Sequence, residues 1–131
     1  MSHDVDTNGI HLLLDYWGCE PEILGDTERI EDLMHKAAEA TGAVVIDSMF
    51  KRFDPQGVSG VVVIKESHLS IHTWPERGYA AVDVFTCGRE CQPTKAHPVI
   101  KKALGSFRYE GLTILRGLEG SSSMRINSNY S

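Results

Sequence analysis

The sequence predicts an α+β fold: a two-layer sandwich in which an antiparallel sheet of about six strands carries two helices packed on one face. Three observations carry that expectation. Several stretches alternate apolar and polar residues, two others repeat apolar residues at three- and four-residue spacing, and Pro- and Gly-bearing breaks stand between them. At 131 residues the chain is sized for a single domain, residues 1–131, and it holds no internal repeat.

Gly9 to Trp17 reads as the first strand, with His11, Leu13 and Asp15 on one face and Leu12, Leu14 and Tyr16 on the other. The run Gly18-Cys19-Glu20-Pro21 ends it. From Asp26 the period becomes helical: Ile30, Leu33, Met34, Ala37 and Ala38 form one apolar side, Asp26 is placed to cap the start and Gly42 to close the end. His35 falls on the polar side. Ala43 to Phe53 reads as a second long strand, in which Phe50 and Phe53 face opposite ways if the strand is regular. Pro55-Gln56-Gly57 is turn chemistry.

The densest stretch follows, from Val58 to Gly88. Val61 to Ile64 are a β-branched or apolar run suited to a buried strand. Ser67 to Trp74 alternates, with His68, Ser70, His72 and Trp74 against Leu69, Ile71 and Thr73, and Pro75 stops it. Tyr79 to Thr86 resumes extended structure, with Ala81, Asp83, Phe85 and Cys87 on a shared face. Two polar faces can therefore meet, although an ordinary meander with polar residues inside fits the periodicity equally well. A loop from Arg89 to Pro93, a short helix around His97 to Leu104 started by Pro98, and a last strand from Phe107 to Leu115 complete the domain. The tail, about residues 119–131, is expected to be disordered.

Composition excludes several functions. A net charge of -5 leaves no basic excess to displace counterions from phosphates, so no nucleic-acid partner is expected. No apolar run approaches the roughly 20 residues that span a bilayer, and MSHDVDTNG is not a signal peptide, so no membrane partner and a cytoplasmic setting are expected. Three cysteines, Cys19, Cys87 and Cys91, make no disulfide framework.

Which chemistry the polar face supports is left open by spacing. His68 and His72 lie four residues apart on a strand, about 13 Å, too far to share one ion, and no metal is expected even though Cys87 or Cys91 could join one of them. Gly57-Val58-Ser59-Gly60-Val61 misses the nucleophile-elbow pattern at its last position. A dyad of Ser67 with His68 or His72 is compatible with spacing. A metal- or ligand-binding module without chemistry is the remaining alternative, and it leaves Glu66-Ser67-His68 without a purpose.

The residues themselves carry a resemblance. Glu66-Ser67-His68-Leu69-Ser70-Ile71-His72-Thr73-Trp74-Pro75-Glu76, then Gly78-Tyr79-Ala80-Ala81 and Phe85-Thr86-Cys87-Gly88, are similar to the processing and catalytic core of the prokaryotic S-adenosylmethionine decarboxylases. Phe50 to Gly60 is similar to the same family's preceding segment, and weaker similarity runs from His11 to about Lys102. The resemblance implies a self-cleaving proenzyme with a pyruvoyl cofactor. Ser67 would attack the Glu66 carbonyl to give an ester, loss of the Ser67 α-proton would release Glu66 as a new C-terminus, and the dehydroalanine left behind would hydrolyse to pyruvoyl. Residues 1–66 and 67–131 would become separate chains.

By the same resemblance Ser59 supports processing and His72 accepts its proton, while Cys87 donates the proton that ends decarboxylation. Phe53 and Glu76 would hold the nucleoside and ribose of S-adenosylmethionine. The pyruvoyl carbonyl would form a Schiff base with the substrate amine, as pyridoxal phosphate does elsewhere. Decarboxylated product would supply the aminopropyl donor for spermidine, and a homodimer of processed protomers is implied, with sites near or across its interface. This chain departs from the family pattern at Arg77 and at Gln92-Pro93-Thr94-Lys95-Ala96. Asp47 and Asp54 add carboxylates near the pocket strand, so arginine or ornithine is the alternative substrate.

Overall fold

A computed structural model describes residues 7–88, 90–118 and, for the backbone, 125–130. It contains one antiparallel sheet and three α-helices. In chain order the elements are β1 (Gly9–Trp17), α1 (Pro21–Leu24), α2 (Thr27–Ala40), β2 (Val45–Arg52), β3 (Val58–Ile64), β4 (Ser67–Trp74), β5 (Tyr79–Cys87), α3 (Ala96–Leu104), β6 (Arg108–Arg116) and β7 (Arg125–Tyr130). The strands lie in the order β2-β3-β4-β5-β1-β6-β7.

Alternation decides which way each strand faces. Leu12, Leu14 and Tyr16 of β1, Val58, Val62 and Ile64 of β3, Leu69 and Ile71 of β4, and Val82 and Val84 of β5 are all buried under the helices. The helices answer with Ile30, Leu33, Met34, Ala37 and Ala38 from α2 and Ala96, Ile100 and Leu104 from α3. Full burial of each large side chain contributes roughly 1.5–3 kcal/mol, which is what pins the register. Asp26 caps α2 as expected, accepting a hydrogen bond from the Arg29 N–H at 3.2 Å. Gly42 follows the helix with φ 88, a conformation that glycine adopts without a Cβ clash.

The run Gly18-Cys19-Glu20-Pro21 ends β1 as expected, and Pro21, at the first helical position, also starts one helical turn, α1, because its fixed φ is already helical and its missing N–H would have no partner there. One expectation needs correction: the whole tail is not disordered. Arg125–Tyr130 pairs with β6 as a seventh strand, supplying partners to an edge that would otherwise present unpaired N–H and C=O groups. The rest of the expected tail, residues 119–124 and 131, lies outside the described residues.

Among the described residues, no helix packs on the second face of the sheet. His11, Leu13 and Asp15 of β1, Met49 of β2, Val63 of β3, and His68, Ser70, His72 and Trp74 of β4 point there, and Met49, Leu13, Val63 and Trp74 are exposed. Every expected site residue is on this face or at its rim. Position on the sheet therefore decides which of them can meet.

Candidate functional site

The bond between Glu66 and Ser67 lies at the two-residue turn that joins β3 to β4. Only Lys65 and Glu66 separate β3 from β4, and Ile64 pairs with Ser67 across the hairpin. The Ser67 hydroxyl lies 3.5 Å from the Cys87 thiol at the end of β5. Gly9 makes room for this contact: a Cβ there would stand 2.7 Å from the Phe85 ring and 3.2 Å from the Cys87 sulfur. Burial first, then the neighbouring Glu66, Glu90 and Cys87, push the Cys91 thiol up. Ser67 and Cys87 form one cluster.

A second cluster occupies the other end of β4. Ser59 on β3 pairs directly with His72, and the Ser59 hydroxyl shares a 2.7 Å hydrogen bond with His72 Nδ1. Both line a cavity of about 300 Å³ together with Phe53, Asp54, Trp74 and Glu76. Phe53 leaves the β2 ladder and is 52% exposed, while Phe50, across the strand, packs on the core, which is the split that their odd spacing predicts. Glu76 is carried by a short 3₁₀ turn, Pro75–Arg77, closed by Gly78 at φ 60. An aromatic face and a carboxylate on one concave wall suit a planar base and hydroxyl donors. Trp74 was not among the expected residues, although its alternation with His68, Ser70 and His72 signals the same face.

The two clusters are not in contact within one chain. Ser67 and His72 are five residues apart on a continuous strand, about 16 Å at the usual rise, so His72 cannot take a proton from the Ser67 of its own chain. The Ser67–His72 dyad of a simple hydrolase is ruled out by the same distance. Asp47 accepts a hydrogen bond from the Ser48 N–H and is not part of the cavity wall, whereas Asp54 is.

Between the clusters lies a polar group that sequence reading did not assemble. Asp83 of β5 accepts hydrogen bonds on Oδ2 from His11 Nε2 at 2.7 Å and His68 Nε2 at 3.1 Å, and on Oδ1 from the Ser70 hydroxyl. Arg116 Nη1 donates to His11 Nδ1 at 3.1 Å. Because a guanidinium can only donate, His11 carries its proton on Nε2. Burial alone would raise the Asp83 carboxyl, but the bonds from Ser70, His11 and His68 and the charge of His68 hold it below the usual carboxylate range. The His11, His68 and Asp83 donor atoms lie within 4.8 Å of one another. Both imidazoles spend Nε2 on the carboxylate, and Arg116 occupies Nδ1 of His11, which leaves His11 no lone pair to offer an ion in this arrangement. Sequence alternation placed His11 and Asp83 on the right faces, but only the insertion of β1 between β5 and β6 puts them side by side.

Comparison with known proteins gives the family. The profile of the S-adenosylmethionine decarboxylase family matches residues 10–117. The chain is 53% identical over 109 residues to an S-adenosylmethionine decarboxylase proenzyme of Thermosipho africanus, covering 83% of this chain and 84% of that one. It is 53% identical over 110 residues to the proenzyme of the same description from Caldanaerobacter subterraneus, covering 84% and 89%. The crystal structure of adenosylmethionine decarboxylase from Aquifex aeolicus superposes with a TM-score of 0.80 at 36% identity, over 91% of this chain and 99% of that one. A family match over most of the domain, shared by sequence and by fold, makes this chain a member of the S-adenosylmethionine decarboxylase family.

Proposed function

We propose that the chain is a proenzyme that cuts itself between Glu66 and Ser67, and that its processed form decarboxylates S-adenosylmethionine to supply the aminopropyl donor for spermidine synthesis. The observation that carries the reading is the contact of Ser67 with Cys87 at 3.5 Å, beside the two-residue hairpin that contains Glu66. The residues fit a self-made pyruvoyl group: the hydroxyl that would be consumed lies beside the Cys87 sulfur at the end of β5. Cleavage would break the Glu66–Ser67 amide, pass its acyl group to the Ser67 oxygen, and expel Glu66 as a carboxylate when the Ser67 α-proton leaves; the dehydroalanine left at position 67 would then take up water and lose its nitrogen as ammonia to become the ketone.

A pyruvoyl ketone at position 67 supplies a carbonyl that condenses with the substrate amine and accepts the electron pair left by carbon dioxide. Cys87 holds the proton that the substrate carbon needs afterwards, because its sulfur adjoins position 67. Phe53 and Trp74 offer faces for the base, and Glu76 accepts from the ribose hydroxyls. Asp54 on the same wall would instead favour a substrate with a cationic side chain, such as arginine or ornithine.

The separation of the two clusters supports a homodimer with shared sites. One chain offers Ser67 and Cys87 at one end of the open face and Ser59, His72, Phe53 and Glu76 at the other. Pairing two open faces about a two-fold axis sets each chain's first cluster against its partner's second, and covers the exposed Leu13, Val63 and Met49. His72 then acts on the opposite chain's Ser67. Three free cysteines fit a reducing, cytoplasmic setting, and no described helix is long and apolar enough to cross a membrane.

Intact mass of the purified protein tests the cleavage: two fragments, 1–66 and a blocked 67–131, are expected, and a single uncut chain that still decarboxylates would overturn the reading. Carbon dioxide release from S-adenosylmethionine, ornithine and arginine, compared side by side, tests the substrate.

A further inference from the structure

We propose that Asp83 is a positioning residue that clamps the newly made end of the second chain after cleavage. The inference rests on the self-cleavage reading. While Glu66 is joined to Ser67, the hairpin holds position 67 from both sides. Cutting removes the tether on one side, and position 67 becomes a chain terminus, the part of a strand that frays most readily.

The residue next to that terminus, His68, is held through its side chain. Its Nε2 donates to Asp83 at 3.1 Å, Asp83 also accepts from His11 at 2.7 Å, and Arg116 fixes His11 from the far side at 3.1 Å. The chain of bonds crosses β4, β5, β1 and β6, four neighbouring strands. Phe85 forms its floor, with its ring 5.0 Å from that of His11, 6.1 Å from that of His68, and 4.4 Å from the Arg116 guanidinium. Asp83 is also four residues before Cys87 on the same face of β5, so a single strand sets both the clamp and the proton donor. None of these residues touches the reacting atoms. Their effect is to keep position 67 within reach of Cys87 once the covalent link has gone.

Asp83→Asn keeps the shape but turns one oxygen into a donor that repels the imidazole N–H groups. The fraction cut, read by intact mass, should match the unaltered protein, because the tether is intact while cleavage proceeds. The cut Asp83→Asn enzyme should lose roughly ten- to a hundredfold in kcat, the worth of a hydrogen bond to a charged group, with KM within about twofold. Arg116→Gln should act in the same direction, and the double variant should be no worse than Asp83→Asn alone, since both break one chain of bonds. Amide exchange at His68 and Leu69 should quicken in the cut Asp83→Asn enzyme but not when the same change is placed in an uncut Ser67→Ala background. Unchanged kcat in cut Asp83→Asn enzyme, or equal quickening with and without the cut, overturns the clamp while leaving self-cleavage standing. An uncut parent protein overturns both, and intact mass shows which has failed.

Discussion

The shared site gives the sharpest experiment. Cys87→Ala removes the proposed proton donor of one cluster, and Glu76→Gln removes the ribose acceptor of the other; neither is needed for the bond change at Glu66–Ser67. Each variant alone should cut itself and turn over poorly. On one chain the two clusters are held apart by β4: about five residues at roughly 3.3 Å each, or about 16 Å, against the 2.6–3.2 Å that proton transfer requires. If each site is built from one chain, co-expressing the two variants gives no intact site. If sites are shared across a two-fold axis, random pairing makes about half of the dimers mixed, and each mixed dimer has one doubly altered site and one unaltered site. About a quarter of all sites are then intact, and carbon dioxide release should return to about a quarter of the parent rate. The assay is steady-state decarboxylation by separately tagged, doubly purified mixtures, which raise the share of mixed dimers and the recovered rate together. Recovery no greater than the sum of the single variants would refute the shared site.

Further outcomes follow from the geometry. Ser67→Ala should give one uncut, inactive chain by intact mass, whereas Cys87→Ala should give two chains and slow turnover; normal turnover by the latter would remove Cys87 from its role. Phe53→Ala should weaken substrate binding by about 1 kcal/mol, roughly fivefold in KM, through loss of a stacking face, with the cleavage rate unchanged. Gly60→Ala should destabilise by about 1–3 kcal/mol in a denaturant melt, since its Cβ would fall on the Phe50 ring that covers Gly60 from β2. Burial first, then the charge of Lys101, lowers the pKa of His97, whose Nδ1 lies 2.7 Å from the Tyr16 hydroxyl. The folded protein therefore binds this proton less readily than the unfolded chain, so stability falls as pH drops below the ordinary histidine value of 6.5 towards the lowered folded one. Thermal melts should show that slope, and His97→Asn should flatten it.

Local periodicity determined a great deal about this protein. Each strand's burial follows from which alternate residues are apolar, and α2 ends where its cap and glycine say it should, because these are contests between neighbours a few residues apart. The separation of Ser67 and His72 was left open by spacing and was decided once both were seen on one continuous strand, β4. What no local pattern contains is the strand order. Asp83 meets His11, and His11 meets Arg116, only because β1 enters between β5 and β6, a choice settled by burial of Leu12, Leu14 and Tyr16 in the core. The tail strand was hidden for a related reason: Arg125–Tyr130 has little apolar pattern of its own and gains its structure from the open edge of β6. Sequence fixes what each residue prefers beside it, and the packed sheet decides which distant residue arrives there.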